Sequence, residues 1–185
     1  SKGFLTQARA NAQYNIDHLN QYIDEGCVIV GCEPSCLLTF RDEYPDLVPG
    51  AAARRLAESS FLIEEFLDRV LVESPTAFPC NRGEGRRVLL HGHCHQKALV
   101  GTELLIRVLT AAGFSVEEVN SGCCGMAGSF GFEREHYDFS IGVGSMRLFD
   151  AVRAAQDGAI VVAPGVSCRQ QIADGTAVSA QHPVE

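Results

Sequence analysis

The sequence predicts an α/β fold in which a mainly parallel sheet is flanked by helices. Three observations carry that expectation. Short continuous apolar runs, such as "VIV" at 28–30 and "IVV" at 160–162, read as strands buried on both faces. They alternate with longer segments of helical periodicity. Finally, "VIVGCEPSC" (28–36) aligns without a gap on "IVVAPGVSC" (160–168), so one strand–loop–helix unit occurs twice.

Element by element, residues 4–25 place Leu5, Ala8, Ala12, Ile16, Leu19 and Ile23 at helical spacing, and Gly26 closes that helix. "CVIVG" at 27–31 follows as a strand, then a short helix over 35–44 begins at the capping-type Ser35. Residues 52–73 read as one long helix ended by Ser74 and Pro75. "PTAFPCNRGEGR" at 75–86 carries two prolines and two glycines and reads as a linker between a first part, 1–74, and a second, 87–185. In the second part, strands are expected at 87–93, 114–119 and 159–163, and helices at 96–113, 133–155 and 167–175. Residues 176–185 add a last strand, and the two parts are expected to form one compact unit.

The chain has 185 residues, 46 % hydrophobic and 21 % charged, which suffices for a real core. A net charge of −8 and the lack of a basic cluster argue against a nucleic-acid surface. No apolar run reaches the roughly 20 residues that span a bilayer. No basic-then-apolar leader opens the sequence. The expected location is cytoplasmic, with room for peripheral attachment at the inner face of the membrane. Eight cysteines without the spacing of a disulfide framework then point to metal or redox chemistry.

Three cysteine stations stand at strand ends in the second part: Cys94 in "HGHCHQK", the pair Cys123–Cys124 in "NSGCCGMAGSFG", and Cys168 in "PGVSC". In a parallel sheet the C-terminal strand ends share one edge, so stations distant in sequence can meet there. Cys36, the repeat counterpart of Cys168, ends the equivalent strand of the first part. Helix N-termini beside Cys36 and Cys168 favour thiolates. Thiolates select zinc, copper(I) or iron–sulfur clusters. Adjacent cysteines point in different directions and reach two metal atoms more naturally than one, which favours a cluster over a single zinc ion. Gly122, Gly125, Gly128 and Gly131 let the backbone approach a bulky group. His91, His93 and His95 alternate, so on an extended segment they share a face, and one of them serves as ligand or proton carrier. Cys27, Cys32 and Cys80 read as core or surface thiols, and His18, His136 and His182 as structural or solvent-facing.

"HGHCHQKALVG", "GCCGMAGSFGFEREHYDFS" and "APGVSCRQQIADG" together resemble the C-terminal cysteine-rich (CCG) portion of FAD-linked oxidases with an iron–sulfur moiety. Those enzymes are similar to D-2-hydroxy-acid dehydrogenases acting on D-lactate, glycolate or D-2-hydroxyglutarate. More distantly, the chain resembles the iron–sulfur component of glycolate oxidase, the small component of anaerobic glycerol-3-phosphate dehydrogenase and the cysteine-rich component of heterodisulfide reductase. The resemblance implies two pseudo-repeated CCG-type halves, the first incomplete because its own Cys-Cys loop would precede Ser1. It implies a metal centre, a [4Fe-4S] cluster or a single zinc or iron ion, with ligands at Cys94, Cys123, Cys124 and Cys168, and Cys36 as the ligand left from the first repeat. The wider family ends its motif in C-x-x-C; here Gly165 precedes Cys168 and Glu33 precedes Cys36, so one thiolate is missing from each tail. His93 or His95 could compensate, or act as proton acceptor. Neither a G-x-G-x-x-G fingerprint nor a ferredoxin-type cysteine run is present, so FAD and ferredoxin-like domains are expected outside these residues. The implied role is electron transfer in a larger flavin-dependent oxidoreductase of small 2-hydroxy acids, with no activity expected of the chain alone. Two alternatives stand beside it: a zinc or iron module that positions substrate as a Lewis acid, and a metal-free docking domain.

Overall fold

The computed structural model describes residues 3–75, 83–155 and 158–185. Its contacts divide the chain into two compact units, Ser1–Phe66 and Leu67–Glu185. Most of the expected linker, including Cys80, lies outside the described residues.

In the first unit, α1 (Leu5–Asp24) buries Ala12, Ile16 and Asn20 on one face. Ala12 and Ile16 pack with Tyr44, Ala53 and Leu56 into a small core. Strand β1 (Ile29–Gly31) leads to α2 (Pro34–Arg41), which begins with proline where a missing N–H costs nothing. Glu33 caps α2, its carboxylate accepting from the Ser35 hydroxyl at 2.6 Å. Helices α3 (Glu43–Leu47) and α4 (Ala51–Glu58) follow.

The long helix predicted over 52–73 is interrupted. Residues Ser60–Leu62 form β2, parallel to β1 with Ile29 opposite Ser60, before α5 (Ile63–Glu73) starts. The physical reason lies in "SS": the Ser60 hydroxyl bonds back to the Leu56 carbonyl at 2.7 Å, and the chain leaves the helix. The backbone of β1 thereby gains a partner for its polar groups.

In the second unit, β3 (Arg87–Leu90) is central, with β4 (Ser115–Glu118) and β5 (Ile160–Val162) parallel on either side. Gln181 adds an isolated parallel bridge to Val162, all that forms of the last strand expected in 176–185. Alternation along β3 divides two cores. Val88 and Leu90 pack with Leu105 and Leu109 of α7 (Glu103–Ala111). Leu89 packs on the other side with Leu148, Phe149 and Val152 of α9 (Leu148–Ala154) and with Ile172 of α10 (Val166–Thr176). The thiols of Cys124 and Cys168 both belong to this second core.

Two further helices predicted as continuous are broken. The 96–113 segment divides into α6 (Cys94–Leu99) and α7, because Gly101 turns left-handed at φ +84. Helix α6 starts at Cys94, so His95 lies on a helix rather than on the extended face shared by His91 and His93. The 133–155 segment follows a 3₁₀ turn at Phe130–Phe132, opens with another at Arg134–His136, then forms α8 (Tyr137–Ser145) and α9. The buried Phe149 ring lies against Gly144, where an added Cβ would come within 2.4 Å of it. Residues five apart stand about 140° around an unbroken helix, so this contact requires the break at Met146–Arg147.

The repeat read from the sequence has a structural counterpart. In the gap-free alignment Pro34 stands opposite Val166, and these are the first residues of α2 and α10. Cys36 and Cys168 are therefore each the third residue of their helix.

Candidate metal centre

All three strands of the second sheet end on the same edge, and each delivers a cysteine station there. After β3 the chain runs through His91 and His93 into α6, whose first residue is Cys94. After β4 it passes Ser121 and enters the Cys123–Cys124 loop. After β5 it passes Ala163, Pro164 and Gly165 into α10 and Cys168. The structure thus brings together Cys94, Cys123, Cys124 and Cys168. Cys94 and Cys123 are half-buried, whereas Cys124 and Cys168 are 3 % and 1 % exposed. Cys36 belongs to the first unit and is exposed, as are Cys27 and Cys32.

The four thiols form one hydrogen-bonded chain with alternating character. Cys123 is pushed far below the ordinary thiol range by donation from the thiols of Cys124 and Cys94 and by the N–H groups of Gly125 and Ala127. Cys168 is likewise held well below it, first by the Cys124 thiol and then by the imidazoles of His91 and His93. Cys94 is raised by its bond to Cys123 and by burial. Cys124 is raised by its bonds to Cys123 and Cys168 and by burial. The direction thus alternates along the sulfurs, toward thiolate at Cys123 and Cys168 and toward thiol at Cys124 and Cys94.

Backbone donors aim at these sulfurs. The Gly125 N–H lies 3.3 Å from Cys123 Sγ, the Met126 N–H serves Cys124, and the His95 N–H is shared between Cys94 and His93 Nδ1. Successive N–H groups converging on one point make a concavity that favours negative charge. Gly125 has φ +103, and a Cβ there would come within 2.1 Å of the Ser140 carbonyl. Its bareness seats the loop on α8. Gly131 likewise clears the Ser140 hydroxyl, while Gly122 faces open space.

The missing family cysteine has a geometric counterpart. A Cβ at Gly165 would lie 2.5 Å from His93 Cδ2 and 3.3 Å from Cys168 Sγ, so the His93 ring fills the space a side chain at 165 would need. His93 caps α6, its Nδ1 accepting the His95 N–H at 3.2 Å. With that lone pair engaged, a neutral His93 carries its proton on Nε2.

The residue that sequence reasoning passed over, in favour of His93 and His95, is His91. It is fully buried, with Nδ1 2.8 Å from the Ser121 hydroxyl, no nitrogen or oxygen partner at Nε2, and the Cys168 sulfur as the ring's other polar neighbour. A ring nitrogen of His91 and the sulfurs of Cys124 and Cys168 all lie within 4.8 Å of one another. The signal was its place as the first residue past a strand end, where the fold gathers its stations. Soft sulfurs, converging N–H groups and a buried imidazole nitrogen together fit a metal centre.

Comparisons with known proteins agree with this chemistry. Residues 88–173 match the cysteine-rich domain family called CCG. The whole chain is 31 % identical to "D-2-hydroxyglutarate dehydrogenase" of Escherichia coli K12, covering 18 % of that protein. It is 31 % identical to the protein of the same name from Pseudomonas putida, covering 17 % of it. It is also 26 % identical to a component of the anaerobic glycerol-3-phosphate dehydrogenase of Escherichia coli K12, covering 46 % of that polypeptide. The chain thus spans less than half the length of these curated relatives. No solved structure is significantly similar to it.

Proposed function

We propose that this chain, whose residues 88–173 form a cysteine-rich domain of the CCG family, is a metal-binding module of a larger flavin-dependent oxidoreductase of 2-hydroxy acids, and that it serves electron transfer. The observation that carries this reading is the continuous chain of four thiols at one sheet edge. Names of the relatives support the substrate class, and their greater length supports further domains, flavin-bearing and ferredoxin-like, in the same or a partner chain. Oxidation of a 2-hydroxy acid to the 2-oxo acid releases two electrons and two protons; a bound iron–sulfur cluster would supply one-electron transfer.

The chain's own residues suit that role. Cys94, Cys123, Cys124 and Cys168 would hold the group, and the N–H groups of Gly125, Met126, Ala127 and His95 would stabilise the sulfur charge. Burial of Cys124 and Cys168 excludes water from one side, while half-buried Cys94 and Cys123 leave the other side approachable. Cys36 stands at the equivalent helix position of the first unit. No helix among the described residues is long and apolar enough to cross a membrane.

A second reading is a single zinc or iron ion that polarises a substrate, with His95 as proton acceptor, or His93 once its Nδ1 is released from the His95 N–H. It is favoured by the close approach of His91, Cys124 and Cys168, a spacing suited to one ion. Anaerobic preparation followed by metal and sulfide analysis and EPR of the reduced protein separates the two. Iron with sulfide and a reducible signal supports electron transfer; a colourless protein with one zinc per chain rejects it.

A further inference from the structure

We infer that His91 is a nitrogen ligand of this centre, so that its donor set mixes imidazole with the thiolates of Cys124 and Cys168 rather than being all sulfur. The inference rests on the metal-binding reading above and specifies its coordination.

Two observations carry it. First, His91 is 0 % exposed, and its Nε2 finds no nitrogen or oxygen partner; beyond Ser121, the polar group its ring meets is the Cys168 sulfur. A buried imidazole nitrogen left without such a partner is costly unless something else uses its lone pair. Second, the other ring nitrogen is already oriented. Nδ1 lies 2.8 Å from the Ser121 hydroxyl, whose oxygen can accept a hydrogen bond from an Nδ1–H. In that tautomer Nε2 is unprotonated and ready to coordinate. Metal-bound histidines commonly donate their second N–H to such a group. Ser121 is itself held, its carbonyl accepting from Lys97 Nζ at 2.7 Å and its N–H donating to the Val119 carbonyl.

The same geometry disfavours the two other sources of the missing donor. Position 165 has no room for a side chain while His93 stands against it. His93 has its Nδ1 lone pair occupied by the His95 N–H, so in the neutral ring Nε2 carries the proton rather than a lone pair. Among the described residues, His91 is the histidine whose ring nitrogen groups with both buried sulfurs within 4.8 Å.

The test uses the metal-loaded protein, prepared anaerobically, with X-ray absorption at the edge of whichever metal it carries. The expected spectrum of the unaltered protein contains a nitrogen shell at about 2.0–2.1 Å beside sulfur at about 2.3 Å, the distances typical of such bonds to zinc. Pulsed EPR of the protein grown with ¹⁵N-histidine, loaded with iron or cobalt(II), should show hyperfine coupling to a directly bound nitrogen. Both readouts need no variant, so poor folding of an altered chain cannot obscure them. His91→Gln should lose the nitrogen shell, His93→Gln should keep it, and Ser121→Ala should keep it with metal affinity lowered about 10–100-fold. A metal bound by sulfur alone, or a nitrogen shell that survives His91→Gln, overturns the inference and leaves metal binding intact. Failure to bind metal at all overturns both.

Discussion

The His93 imidazole lies against Gly165, in the space that a side chain at that position would occupy, with its Cδ2 2.5 Å from where a β-carbon would be. Gly165→Ala should therefore destabilise the protein by about 1–3 kcal/mol through overpacking. The effect should largely vanish in a His93→Ala background. A double-mutant cycle on thermal unfolding checks this; equal costs in both backgrounds would show that the two positions do not compete.

Gly125 and Gly122 flank the same cysteine pair and should respond in opposite ways. Gly125→Ala combines φ +103 with a carbonyl 2.1 Å away, so it should cost at least about 2 kcal/mol and displace the loop from α8. Gly122→Ala meets nothing within 4 Å and should stay within about 0.5 kcal/mol of the parent. Denaturant midpoints measured side by side decide the matter.

Much of this arrangement was legible in the residues, and the parts that were not share a cause. The repeat of "VIVGCEPSC" in "IVVAPGVSC" correctly aligned the first residues of α2 and α10, because apolar run, loop and helix start are local features. Strand ends carrying Cys94, Cys123–Cys124 and Cys168 do share one edge, a consequence of parallel order. Strand β2 was hidden because three residues carry no periodicity, and its existence depends on pairing with β1. The breaks at Gly101 and at Met146–Arg147 follow from backbone handedness and from Phe149 packing on Gly144, neither of which alters hydrophobic spacing. The singling out of His91 among three alternating histidines, and the reservation of the space at 165 for His93, are tertiary facts. Spacing could not distinguish them.

Glu64 should make stability fall with rising pH. Burial raises its carboxyl from 4.5 to about 7, with Glu65 adding repulsion. Between those values the folded chain keeps a proton that the unfolded chain has lost. Its contribution is therefore full below about pH 4.5 and declines as pH climbs through 7, by on the order of 3 kcal/mol. Glu64→Gln should match the parent in acid and exceed it at pH 8; parallel stability curves would refute the assignment.

Metal uptake should release protons and strengthen with pH. Cys94 and Cys124 are held as thiols by their bonds to neighbouring sulfurs, and coordination must displace those protons. Calorimetric titration in buffers of different ionisation enthalpy counts the protons. Binding that releases none between about pH 6 and 8 would mean that these two sulfurs stay outside the coordination sphere.

Cys124 is the buried middle of the thiol chain, bonded to both Cys123 and Cys168, so it offers the most direct test of the centre itself. The deciding measurement is metal per chain after anaerobic loading and desalting, compared between the parent and Cys124→Ser at matched folded content. The account predicts stoichiometric metal in the parent and loss of most of it in the variant. A parent that retains none, or a variant that retains as much as the parent, would contradict it.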